Sequence, residues 1–185
     1  MVFTQVLRRW VYSMMVAAVA IMSSPALFAS TSAASLDDYV PNAALVGKAE
    51  FKVMFFTIYE ASLFAPNGEF NRSKPFALRI NYLVDADKSR LVDNSINEMK
   101  RQKSASGERL ERWENLMNEY FFDIKENDIA YMVHNADRSL TIWTNDQAPV
   151  TIEDKAFARA FLNIWVGRKP RDEEFQSQLF GQNQS

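Results

Sequence analysis

His134 is the single imidazole of this chain, and Asp137 and Ser139 follow it closely in sequence. An imidazole, a carboxylate and a hydroxyl are the parts of a nucleophilic hydrolase, but such a site is defined by spatial roles and not by proximity in sequence. The three fall around a hairpin turn, where a histidine reads as structural. Lys52, Met54, Phe56 and Ile58 recur at period two and so share one face of a strand. A lysine beside an apolar stripe could take a ligand with an acidic head, but the preferred reading makes Met54 and Phe56, with Ile96 and Met99 further on, plain core, methionine filling irregular gaps. Arg79 and Tyr82 take opposite faces of their strand and cannot hold one group together; Arg79 is expected to pair with an acid such as Glu60 on a neighbouring strand. Asp37-Asp38, and Asp85 with Asp87, lack a loop supplying the roughly six to eight oxygens that calcium takes, and read as solvated turn and helix-start acids. Lys100-Arg101-Gln102-Lys103 is a basic patch at a helix end, where cations complement the dipole. Phosphate or lipid-head binding there has no second support in the sequence.

The 185 residues contain no cysteine, which excludes disulfides, iron–sulfur clusters, thiol catalysis and thiolate zinc. One histidine leaves little for a zinc or iron site. A net charge of −2 gives no electrostatic reason to expect nucleic acid. Five glycines, with no GxGxxG or GxxxxGK[ST] pattern, argue against a phosphate-cradling loop. No cofactor is therefore expected. Apolar residues make up 48% of the chain, enough for one real core.

The elements that must position these groups follow from periodicity. Ala44 to Phe64 reads mainly as strand, apolar on both faces at its centre and so expected to be covered on both sides. Ala65-Pro66-Asn67-Gly68 is a turn. Phe76 to Val84 alternates, with Leu78, Ile80 and Tyr82 on one face. From Asp87 to Gln102, Leu91, Val92, Ile96 and Met99 recur at helical spacing. A polar link, Lys103 to Gly107, precedes a second amphipathic helix carrying Leu110, Trp113, Leu116, Met117, Tyr120 and Phe121. Ile129–His134 and Leu140–Thr144 flank a hairpin turn. Thr151-Ile152-Glu153-Asp154 opens a third helix that Gly167 ends, and a last short helix runs from about Arg171 to Phe180. Strands, two helices, a hairpin and two more helices predict an α+β domain with helices segregated against an antiparallel sheet.

The amino terminus reads as an address. Arg8 and Arg9 precede an apolar run, Val11 to Met22, which Ser23-Ser24-Pro25 breaks before a small-residue tail. These are the three parts of a secretory signal peptide. The run is shorter than the ~20 residues of a comfortable bilayer span, although an uncleaved anchor is the alternative. Cleavage is expected between Ala29 and Ser35, giving a signal over 1–34 and one domain over 35–185. Export without cysteine suits a bacterial periplasm, and no stable membrane span is expected after cleavage.

The runs Tyr59–Phe64, Leu78–Tyr82 and Phe157–Gly167 together resemble the chalcone isomerase-like family, and within it the exported bacterial branch, over roughly Leu45 to Gly181. The specificity lies in the order and spacing of these runs. The resemblance implies an open-faced β-sandwich with a pocket between a large antiparallel sheet and its helices. It also implies that Lys52, Met54, Phe56 and Ile58, with Ile96 and Met99 of the first helix, line that pocket. In plant chalcone isomerases the pocket closes a flavanone ring with an Arg, a Thr, a Tyr and nearby Lys and Asn. Here Met54 stands at the Thr position, Gly47–Phe51 contains no arginine, and no tyrosine occurs from Leu83 to Glu119. Without those donors the preorganised electrostatics of ring closure are missing, and no chalcone isomerase activity is expected. Plant fatty-acid-binding members also rely on that Arg and Tyr. The expected function is non-catalytic: holding a fatty acid or other small apolar molecule, or serving as an interaction module of an envelope complex. An isomerase of altered chemistry is the remaining reading.

Overall fold

The computed structural model describes residues 34–182; the export segment expected over 1–34 lies outside them apart from Ala34. Among the described residues the chain forms β1 (Ala43–Val53), β2 (Phe56–Pro66), β3 (Phe76–Tyr82), α1 (Lys88–Arg101), α2 (Gly107–Tyr120), β4 (Ile129–His134), β5 (Leu140–Thr144), β6 (Val150–Ile152), α3 (Lys155–Val166) and α4 (Glu173–Leu179). The strands make one antiparallel sheet in chain order from β1 to β6. The two helices between β3 and β4 and the two after β6 give the segregated α+β layout the periodicity predicts.

Register sets the inner face. Leu63 sits opposite Leu78, Leu78 opposite Met132, and Met132 opposite Ile142, so one apolar row crosses four strands. Val92, Ile96 and Met99 of α1, Trp113 and Met117 of α2, Phe157 and Phe161 of α3 and Phe175 and Leu179 of α4 join it in one core. Trp113 Nε1 donates to Asp154 Oδ2 at 3.0 Å, and the same carboxylate caps α3 through the Ala156 and Phe157 amides. One acid thus closes a helix end and holds α2 to it. The outer face carries a smaller cluster of Val40, Ala77, Val133 and Trp143 under a 3-10 turn, Leu36–Asp38. Asp37 and Asp38 are structural there: Asp38 completes a capping box with Ser35, and Asp37 Oδ1 accepts from the Ala43 amide at 3.0 Å.

Glycine is required at position 47. A Cβ there would overlap the Gln178 and Leu179 carbonyl oxygens, so the residue lets the α4 C-terminus lie directly on β1.

Three sequence expectations change. The single strand Ala44–Phe64 is two strands, because Val53 pairs with Phe56 and the chain reverses at Met54-Phe55. Met54 supplies the positive backbone angle of this two-residue loop (φ 56°), a role that sequence reading assigns to Gly or Asn. The covered centre is consequently an open tip: Met54 is 84%, Phe55 93% and Phe56 72% exposed. Thr151 belongs to β6, and Asp154 is the cap of α3. Arg79 does not take Glu60, whose carboxylate accepts from Asn81 Nδ2 at 3.2 Å across the β2–β3 ladder.

Candidate functional site

Between the inner face of the sheet and helices α1, α3 and α4 lies a cavity of about 620 Å3. Its walls are mostly apolar, and an aromatic frame fixes their shape. Phe51 stacks on Tyr59 across the β1–β2 ladder at 5.0 Å, and Phe175 of α4 meets both edge-on. Phe121, Phe161 and Trp165 continue the frame along α3. Such pairs each add about 0.5–1.5 kcal/mol beyond area burial, so these walls resist collapse into the space.

The exposed polar lining of the cavity is Asp85, Arg90, Asn94, Asn97, Arg171 and Asp172, and other polar groups are buried or half-buried. Trp165 Nε1 donates to Tyr59 Oη at 3.1 Å, and burial, outweighing that bond, holds the Tyr59 phenol above its ordinary value. Tyr82 stands opposite Tyr59 on β3; burial pushes its phenol up to about 12, and its hydroxyl has no hydrogen-bond partner among the described residues. Neither phenol ionises near neutral pH, so each offers a proton and neither is a base or a nucleophile. Glu98 of α1 is 7% exposed, accepts from Arg101 and Gln102, and pairs with Arg171 at 3.1 Å. Burial pushes its carboxyl up, but those bonds and charges outweigh it and leave it below the usual range. Arg171 is therefore already paired, sharing the Glu98 carboxylate with Arg101, while Arg90 at the rim has only a loose approach to Asp87, 3.8 Å.

Of the six residues expected to line a pocket, Ile58 does. Lys52 is exposed and bridged to Glu50 at 2.8 Å, its same-face neighbour on β1, and Met54 and Phe56 lie at the open tip. Ile96 and Met99 face the opposite side of α1, packed in the core and outside the cavity. For Lys52, Met54 and Phe56 the physical reason is the reversal at Met54-Phe55, which turns one expected stripe into two strands with different surroundings, whereas Ile96 and Met99 take the core reading of the sequence. Tyr82 was not among the expected lining residues, and its place on the Leu78 and Ile80 face is the signal that could have found it. The Ser95, Glu98, Gln102 stripe along α1 and its C-cap, at three- and four-residue spacing, is the signal that could have exposed Glu98.

His134 is structural: it is buried, stacks on Phe76 at 5.1 Å, and donates from Nδ1 to the Lys74 carbonyl oxygen at 3.2 Å. Asp137 accepts from the Ser139 amide and hydroxyl, so it does not orient the imidazole. Among the described residues no three His, Cys, Asp or Glu side chains gather as a metal site, and no helix is long and apolar enough to cross a membrane.

No curated protein matches the chain. Among solved structures, a fatty-acid binding protein of Arabidopsis thaliana is similar with a TM-score of 0.54 and 11% identity, over 76% of this chain and 87% of that one. At that identity the likeness is one of fold, and the fold is the open-faced sheet with helices on one side that the sequence resemblance implies. The chalcone isomerase-like family model matches residues 41–181. Every strand and every α-helix described above lies inside that match, and the chain belongs to the chalcone isomerase-like family.

Proposed function

We propose that this protein is a non-catalytic carrier of one fatty-acyl-class ligand, exported to the periplasm as part of the family's bacterial branch. The observation that carries the ligand reading is the aromatic-framed cavity of about 620 Å3, inside the ~300–1,000 Å3 range of small-molecule sites. Its walls suit a hydrocarbon chain, and the unpartnered Tyr82 hydroxyl with Arg90 at the rim suits a carboxylate. The fatty-acid binding protein that shares the fold supports the same class. Against turnover stand two phenols that stay protonated and an Arg171 already held by Glu98. Export is supported by the sequence of Arg8, Arg9 and the apolar run behind them.

Displacement of an apolar fluorescent dye by saturated fatty acids of graded length tests the carrier reading. One-to-one displacement with a length optimum is expected. Absence of dye binding and of any response across the series would overturn it. Amino-terminal sequencing of the periplasmic fraction tests export, with a new terminus between Ala29 and Ser35 as the expected result.

The open tip supports a second reading, an interaction module. Val53, Met54, Phe55 and Phe56 form an apolar point on an otherwise solvated hairpin. Crosslinking in the cell envelope that is lost in Phe55→Ser would favour this role; unchanged crosslinking would remove it.

A further inference from the structure

A second concavity, about 540 Å3, lies beside α3 on the side that faces away from the aromatic frame. Helix α3 serves both spaces: Phe161, Ile164 and Trp165 face the cavity, while Arg159, Leu162, Asn163 and Val166 face the cleft. Four cations line the cleft, Arg72 from the β2–β3 connection, Arg159 from α3, and Arg168 and Lys169 from the segment after it. No acid lines it, and none of the four is ion-paired among the described residues. This is unusual in a chain whose acids outnumber its cations.

Helix ends account for part of this charge. The C-termini of α1 and α3 both reach the cleft, where Arg72 Nε donates to the Val166 carbonyl oxygen at 2.5 Å and Lys169 Nζ to that of Gln102 at 3.4 Å. Each terminus carries about half a negative charge, so two terminate about one cation's worth. Roughly three positive charges remain uncompensated on that account. Arg72 is also fixed in place, with its guanidinium over the Phe70 and Phe180 rings at 5.7 and 5.3 Å. Burial, then the charge of Arg168, holds it below its usual value, as expected for cations crowded together. Hydroxyl and amide groups of Ser73, Ser104 and Asn163 complete the lining. His134 closes the floor with Nδ1 already committed to Lys74, which leaves Nε2 as its other polar atom.

We infer that this cleft is a binding site for a phosphate monoester, its oxyanion held by Arg72, Arg159 and Arg168. A tetrahedral dianion matches the charge surplus and the forked geometry of guanidinium donors, and the volume leaves room for a small polar body beyond the phosphate. The site is separate from the apolar cavity and stands whether or not an acyl ligand is carried.

His134, as the single histidine, gives an unambiguous nuclear magnetic resonance signal. Inorganic phosphate is titrated into the full chain at constant ionic strength set by chloride. A saturable change in the His134 signal is expected, with the midpoint of its pH titration moving upward, because a neighbouring dianion favours imidazolium. In Arg159→Gln/Arg168→Gln, exposed positions whose loss leaves the fold intact by thermal unfolding, affinity should fall at least tenfold. A linear response that chloride reproduces, or affinity in the double variant within twofold of the parent, would overturn the site. Vesicles of phosphatidic acid compared with phosphatidylcholine then identify the source. Co-sedimentation with phosphatidic acid that the double variant loses assigns the phosphate to a lipid head group, and phosphate binding without co-sedimentation assigns it to a soluble monoester.

Discussion

The apolar cavity and the basic cleft use the two sides of one helix, yet their chemistry is opposite. In the cavity, ring-on-ring packing builds the walls and polar groups are either satisfied or protonated. In the cleft, cations from three segments stand without acids. The difference lies in the lining: an aromatic frame walls the cavity, whereas cations and the carbonyl ends of two helices line the cleft. Glu98 and Gln102 mark the boundary. Glu98 lines the cavity, Gln102 lines the cleft, and Gln102 Nε2 donates both to Glu98 Oε1 at 3.0 Å and to the Asn163 carbonyl at 3.1 Å.

The contrast breaks most sharply if one space is filled. Ile164→Trp places an indole in the cavity from the α3 side, and fatty-acid affinity should fall more than tenfold while the phosphate response of His134 stays unchanged. Loss of both in calorimetric titrations would mean that the two spaces are one site. Glu98→Ala removes the boundary itself and leaves Arg101 and Arg171 without their carboxylate. Those arginines are partly solvated, so the cost should be about 1–3 kcal/mol in urea unfolding, between exposed and buried ion pairs. The same carboxyl carries a pH signature. Its folded value lies below the ordinary 4.5, so its contribution is complete above that pH and is lost as pH falls through the lower folded value. Glu98→Gln should flatten the acid limb of a stability-against-pH curve.

Tyr82→Phe refines the cavity without closing it. Removing one hydroxyl should weaken a fatty acid by about 1 kcal/mol, roughly fivefold, and leave binding of the matching alkane or alcohol tail nearly unchanged. Equal losses for acid and alkane would mean that the ring, not the hydroxyl, matters. Phe55→Ser touches neither space, and unfolding free energy should stay within ~0.5 kcal/mol of the parent.

Periodicity made the helices and the β4–β5 hairpin readable, because a stripe such as Leu110, Trp113, Met117 and an Asn-Asp turn are local signals. The β1–β2 reversal was not, since Met54 and Phe55 carry no turn chemistry and only pairing across the ladder forces the positive angle. That one miss displaced Lys52, Met54 and Phe56 from the expected pocket to a solvent-exposed hairpin end. Alternation put Tyr82 on the inner face with Leu78 and Ile80 but did not mark it as part of a cavity, because the helices that close that space are remote in sequence. The cleft was not legible either, because Arg72 and Arg159 are 87 positions apart in the chain and meet only through the packing of the β2–β3 connection on α3. The basic run singled out in the sequence contributes Gln102 to it, while Arg101 is spent on Glu98.

Native mass spectrometry of the full chain, purified from its own cells without detergent, tests the acyl cavity most directly. A species heavier than the bare chain by the mass of a single fatty-acyl ligand, absent in Ile164→Trp, is the expected result. Bare chain alone in both proteins, still bare after incubation with the graded fatty acids, would contradict it.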